Sequence, residues 1–253
     1  MDYKMILTPE EEAILNGAKG ETMAKVIKTL ILYGETFGAK RFVEVTAPGH
    51  LVTSFGISIM SPVFNITQEL IDAGLKAKAP FTVDPRPIDY ANVKCNPIEK
   101  LIFSKVLYGK QEMYEKQLRD LGLKDKNAFT CTCYLDEVGN TPKKGDILSW
   151  AESSAVVYVN SVIGARCNRN SGIMDIMGSV LGYVPYFGLL TDEGRRATWI
   201  VKIETTKKPE AQLLGSAIGM KVMEEVCDSQ RFILGDKVVE FEKAAAAYCQ
   251  TND

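Results

Sequence analysis

The chain has 253 residues, 46% hydrophobic and 25% charged, which is ordinary usage for one large globular domain or two small ones. Its 30 Lys and Arg against 32 Asp and Glu give a formal net charge of −2 with no basic block, which argues against nucleic acid or anionic lipid as a partner. No stretch approaches the ~18 apolar residues of a membrane-spanning helix, "MDYKMILTPEEE" lacks the apolar core of a secretory signal, and 6 cysteines are too few for a disulfide framework. A cytoplasmic chain with reduced thiols is expected.

In chain order, "TPEEEAIL" predicts a first helix with Thr8 as N-cap, Pro9 in the first turn and Glu11 closing a capping box. Met23, Val26, Ile27, Leu30, Ile31 and Phe37 keep helical spacing up to a stop at Gly38. "RFVEVTA" then reads as a strand, "SPVFNITQELIDAGL" as a helix and "PFTVDP" as a short strand closed by Pro85. One helix is expected from about Pro97 to Leu121, leading into the strand "AFTCTCYL" and the loop "DEVGNTPKKGD".

In "SWAESSAVVYVNSVIGA", Ala155, Val156, Val159, Val162 and Ile163 are spaced for a helix despite the β-branched content. "SGIMDIMGSVLG" follows as a helix, "ATWIVKIET" as a strand with Trp199, Val201 and Ile203 on one face, and "KPEAQLLGSAIGMKVMEEV" as another helix. "KVVEFEKAAAAYCQTND" is read as a terminal helix that frays. The alternation predicts an α/β fold around a largely parallel sheet, with its ligand site beyond the carboxyl ends of the strands. No repeat, low-complexity tract or linker divides the chain.

Cys131 and Cys133 in "TCTCYL" share one face if the segment is a strand, because side chains alternate with period two. A metal site, a redox pair and simple packing all remain open on that spacing. A zinc module built from cysteines alone lacks the second closely spaced pair it would need.

The block "FTCTCYLDEVGNTPKKGDILSWAESSAVVYVNSVIGARCNRNSG", with "GLLTDEGR" and "AQLLGSAIG", resembles the aconitase X family, in the N-terminal part of its large catalytic subunit. The resemblance implies aconitase-like α/β/α layers, residues 1–225 as the catalytic region and 226–253 as a divergent helical tail. It also implies a hydro-lyase (dehydratase) that removes water from a small hydroxylated carboxylate or phosphorylated substrate. The implied cofactor is an iron–sulfur cluster, and the implied partner a small swivelling domain or subunit.

On this resemblance Cys131 falls at the family's cluster ligand, a soft thiolate suited to iron, while Cys133 and Cys167 replace a family proline and threonine. His50, in the strand-end loop "APGHLVTSFG", and Ser153 are placed as catalytic residues. Glu152, Ser154, Asn160, Arg166, Asn168 and Arg169 are placed as substrate-binding, the arginines for bidentate recognition of carboxylate or phosphate. Each has a structural counter-reading. Glu152 would close a capping box on Ser149, Ser153 and Asn160 would form a solvated helix face, and the arginines would lie on a surface loop. "DEGRR" reads as an exposed charged loop.

Cys131, His50, Ser153 and Arg166 are expected to face one cleft. Family large subunits continue beyond the region of Val226, where further cluster cysteines lie, and Cys227 and Cys249 match none of them. Two readings follow: a dehydratase subunit or fragment completed by another chain, or a non-catalytic homologue that keeps a cleft for a small anion.

Overall fold

The computed structural model describes residues 3–52, 61–88, 92, 94–125, 128–197 and 200–228. Helix α1 (Pro9–Leu15) begins at the expected capping box: the Glu11 N–H donates to the Thr8 hydroxyl at 3.3 Å and the Thr8 N–H to the Glu11 carboxylate at 2.7 Å. Helix α2 (Glu21–Thr36) buries Met23, Val26, Ile27, Leu30 and Ile31 on one face. Phe37 departs from that stripe. The helix has already ended at Thr36, so Phe37 turns outward, 55% exposed, and stacks on Phe187 with centroids 5.0 Å apart.

Of four short strands, β1 (Phe42–Glu44) and β3 (Thr82–Val83) fall at expected strands, whereas β2 (His50–Leu51) lies in the segment expected as a loop and β4 (Tyr183–Pro185) where no strand was expected. β2 and β3 pair in parallel with His50 opposite Thr82, and single parallel bridges join His50 to Trp150, Val83 to Phe129 and Ile147 to Arg166. β1 and β4, however, are antiparallel, with Val43 opposite Val184. The fold is therefore α/β, but the described residues form short ladders of both senses rather than one long parallel sheet. Prolines explain part of this: Pro48, Pro85 and Pro185 flank or end the ladders and have no N–H to extend them.

The remaining helices are α3 (Ser61–Asp72), α4 (Pro97–Leu101), α5 (Gln111–Leu121), α6 (Ser153–Tyr158), α7 (Gly172–Leu181) and α8 (Ala211–Asp228). The single helix expected over 97–121 is thus two. α4 runs into a π-helical stretch, Ile102–Leu107, and ends at Tyr108 and Gly109, glycine being a poor helix former. α6 likewise continues as π-helical Val159–Ile163, and the wider turn moves Val162 off the buried stripe to 48% exposure.

Two other expected elements are absent. Only Phe129 of "AFTCTCYL" pairs as a strand would; the Thr130 hydroxyl then captures the Thr132 N–H at 3.0 Å, and the chain turns through Cys131–Leu135. Residues 200–205 form no strand, and Ile200 is 97% exposed. Trp199, Cys249 and the expected terminal helix lie outside the described residues.

The main core gathers Ile27, Leu30 and Ile31 of α2, Leu70 of α3, Leu118 of α5 and Val180 of α7 around Phe81 and Val83. Each such side chain contributes roughly 1.5–3 kcal/mol by leaving water. A second cluster packs Leu148, Trp150, Ala155, Val156, Val159 and Ala165 with Cys133 and Cys167. α7 approaches the segment before Trp150 so closely that a Cβ on Gly178 would lie 2.5 Å from Ser149 Oγ and 2.8 Å from Val184 Cγ1.

Candidate functional site

The parallel bridges set His50, Thr82 and Trp150 side by side, and the turn after Phe129 brings Cys131 and Cys133 to the same end. His50 is fully buried; its Nδ1 lies 2.9 Å from Thr82 Oγ1 and its ring 5.5 Å from Trp150. Asn140, from the loop after the cysteines, donates through Nδ2 to Thr82 Oγ1 at 2.7 Å and to the Gly49 carbonyl at 3.0 Å. His50 Nε2 and Asn140 Oδ1 are buried with no hydrogen-bond partner among the described residues. Burial pushes the imidazole down to about 4, against the opposing pull of the Glu152 carboxylate.

Glu152 is the N-cap of α6 rather than the N3 partner of Ser149. Its oxygens accept from the Ser154 N–H at 3.0 Å and the Ala155 N–H at 2.6 Å, and Ser154 Oγ adds further bonds. Partial burial works against its charge, but those N–H groups, the Ser154 hydroxyl and His50 outweigh it, and the carboxyl lies below its ordinary range. Ser149 is buried and donates instead to the Asp175 carboxylate at 3.0 Å. Ser153 is exposed at the start of α6.

The Cys131 thiol is exposed, whereas Cys133 and Cys167 are buried in the second cluster. Desolvation, then the Glu152 and Asp84 carboxylates, raise the Cys131 thiol above its usual value. Burial pushes Cys133 up to about 12. Cys167 Sγ lies 3.5 Å from the Trp150 carbonyl oxygen. Cys131, Glu152 and His50 therefore share one electrostatic environment, with Ser153 and Ser154 on the adjoining turn.

Arg166, Asn168 and Asn160 are committed to the protein. Arg166 donates to the Leu190 carbonyl at 2.7 Å and pairs with Asp192. Asn168 accepts from the Leu189 N–H at 2.7 Å and donates to the Phe187 carbonyl at 3.0 Å. Asn160, far from facing solvent, is buried; it bonds Cys167 through both backbone groups and accepts from Arg195 at 2.9 Å. Arg195 also reaches the carbonyls of Ala165 and Asn160, so part of "DEGRR" is a structural clamp rather than a purely solvated loop. Arg169 has φ of 51°, left-handed backbone that a non-glycine residue adopts at a cost and that is concentrated at functional sites.

Thr82, Asn140 and Asp175 went unread in the sequence. Asp175 gave a signal, a lone acid in the apolar run "GIMDIMG", whereas Thr82 and Asn140 looked like ordinary strand and loop residues. Among the described residues no three His, Cys, Asp or Glu side chains are placed to hold a metal ion. A cluster needs several fixed thiolates and Cys131 offers one, so these residues alone do not fit an iron–sulfur group. No helix of the described residues is long and apolar enough to cross a membrane.

The sequence pattern described as the Aconitase X first domain matches residues 4–193. The phosphomevalonate dehydratase large subunit of Thermococcus kodakarensis is 32% identical over 228 residues, 88% of this chain and 53% of the relative. A cis-3-hydroxy-L-proline dehydratase of Hypocrea jecorina is 26% identical over 219 residues, 84% of this chain and 35% of that protein. The crystal structure of Thermococcus kodakaraensis aconitase X in its holo form superposes with a TM-score of 0.67 at 30% identity, covering 85% of this chain and 51% of that one. The chain thus spans about half the length of the large subunits it matches. A match over this much of the sequence, in the same fold, means that the chain belongs to the aconitase X family.

Proposed function

We propose that the chain is part of the large subunit of a hydro-lyase that eliminates water from a small hydroxylated carboxylate or phosphorylated substrate in the cytoplasm. The observation that carries this reading is the exposed Cys131 thiol, within electrostatic reach of the Glu152 carboxylate that also acts on the buried His50, at the end of the parallel pairs. Family membership supports an iron–sulfur cofactor with Cys131 as one ligand and the other thiolates from the length of the relatives that this chain does not span. A small swivelling domain or subunit completes the site, and the aconitase-like layering is completed with it. Residues 1–225 form the catalytic region and 226–253 a C-terminal tail divergent in sequence from the family.

Within this reading the chain's own groups orient and exclude water. Glu152 holds the start of α6 and so fixes the exposed Ser153 hydroxyl at the rim. Arg169 sits in left-handed backbone of the kind concentrated at functional sites, and it is the guanidinium we assign to the substrate's anionic group. Mevalonate 5-phosphate is the first substrate to try, since the phosphomevalonate dehydratase relative is 32% identical and the hydroxyproline one 26%.

The test is anaerobic reconstitution with iron and sulfide, followed by assays on mevalonate 5-phosphate and cis-3-hydroxy-L-proline. The chain alone should show little turnover. Adding the missing large-subunit segment and the small subunit in trans should restore colour and activity. Failure of the completed assembly on both substrates would sink the dehydratase reading.

A further inference from the structure

The buried contacts around His50 fix more than its position. Gly49's carbonyl can only accept, so the Asn140 atom 3.0 Å from it must be the amide nitrogen rather than the oxygen. The same nitrogen lies 2.7 Å from Thr82 Oγ1, so Thr82 accepts there and keeps its own proton to give elsewhere. Two acceptors compete for it: His50 Nδ1 at 2.9 Å, and the Cys133 sulfur, on whose acidity Thr82 also acts. A ring nitrogen is a strong acceptor and a thiol sulfur a weak one. Burial keeps the Cys133 thiol protonated, which leaves its sulfur the weaker acceptor of the two.

We propose that Thr82, held by Asn140, is a positioning residue that donates to His50 Nδ1 and locks the imidazole in the Nε2–H tautomer, so that His50 presents a neutral N–H donor to a ligand oxygen. This role for the donor rests on the dehydratase reading above; the tautomer itself does not. Nε2 is buried without a partner, and an orphaned buried N–H is costly unless something arrives to accept from it. A substrate carboxylate, phosphate or hydroxyl oxygen supplies that acceptor. An imidazole held neutral by burial is a poor base and a serviceable polarising donor, which agrees with this assignment.

The chain contains 1 histidine, so long-range proton–nitrogen correlation on the 15N-labelled 253-residue chain reads this tautomer from a single set of signals. At pH 7.5 the expected spectrum has Nε2 protonated and Nδ1 bare. Thr82→Val should lose this single-tautomer pattern and Thr82→Ser should restore it. In the completed enzyme, kcat/KM should fall with Thr82→Val and recover with Thr82→Ser. A wild-type spectrum with the proton on Nδ1 would overturn the proposal whether or not the variants fold, as would an unchanged pattern in Thr82→Val. Inactivity of the completed enzyme would instead strike the dehydratase reading and leave the spectrum of the chain as it is.

Discussion

Two buried titratable groups stand in contrast. Asp175, in the first turn of α7, is fully enclosed, and its carboxylate accepts from Ser149 Oγ, Asn170 Nδ2 and the Ser171 N–H at 3.0, 3.1 and 3.2 Å. His50 is equally enclosed but has one nitrogen bonded and one without a partner. Evenly satisfied, Asp175 ties α7 to the segments before and beside it. Unevenly satisfied, His50 sits where a ligand would complete the set. Burial of a charge-bearing group is common to both, so the hydrogen bonds left unmade are what separate a structural joint from a site.

The largest effect should come from Asp175→Ala. It orphans the Asn170 amide and the Ser171 N–H at once and leaves the Ser149 hydroxyl only the backbone carbonyl of residue 175, and about 3–5 kcal/mol of stability should be lost in urea unfolding. A loss under 1 kcal/mol would mean that Asp175 is not the joint described here.

The pH dependence sharpens the contrast because the two groups shift in opposite directions. Burial drives Asp175 up to about 7, against its hydrogen bonds, so its contribution is full below its ordinary 3.8 and disappears as pH rises through about 7. Burial drives His50 down to about 4, so its contribution is full above its ordinary 6.5 and disappears as pH falls through about 4. Between these limits the two offset one another. His50→Gln removes one arm: from pH 7 to pH 4 the wild type should lose on the order of 3 kcal/mol relative to the variant. A constant difference between the two unfolding curves would refute a neutral buried His50.

Gly178→Ala probes the contact beside Asp175. Its Cβ meets Ser149 Oγ and Val184 Cγ1, neither at the end of a long flexible chain, and a cost of ~1–3 kcal/mol is expected from chemical denaturation. The smallest effect belongs to the His50 region. Glu152→Ala removes an N-cap and should cost about 1 kcal/mol in the thermal melt. The milder Glu152→Gln removes a carboxylate that raises the Cys131 thiol, and should speed alkylation of Cys131 as followed by peptide mass mapping. Slower alkylation would place Glu152 away from the thiol.

Much of this was readable along the chain. The Thr8 to Glu11 cap, the apolar stripe of α2 and the extents of α3 and α7 follow from residues within one or two turns of each other, and all four form. The block around Cys131 and Glu152 carried the family. Errors arose where a distant or competing partner decided. "TCTCYL" has strand-forming residues, yet the Thr130 side chain takes the N–H that a ladder would need. Asn160 looked like one edge of a polar face until Cys167 and Arg195 closed over it.

By itself, then, the sequence determined helices such as α1, α2, α3 and α7, the mixed α/β character and the family, because local spacing, caps and a long motif are properties of neighbouring residues. Tertiary structure alone decided which polar residues are joints and which stand open. The hydrogen bonds that spend Arg166, Asn168 and Asn160, and leave His50 Nε2 unspent, join residues such as His50 and Thr82, or Asn140 and Gly49, that lie 32 and 91 positions apart. No periodicity or local motif encodes which of those distant donors meets which acceptor.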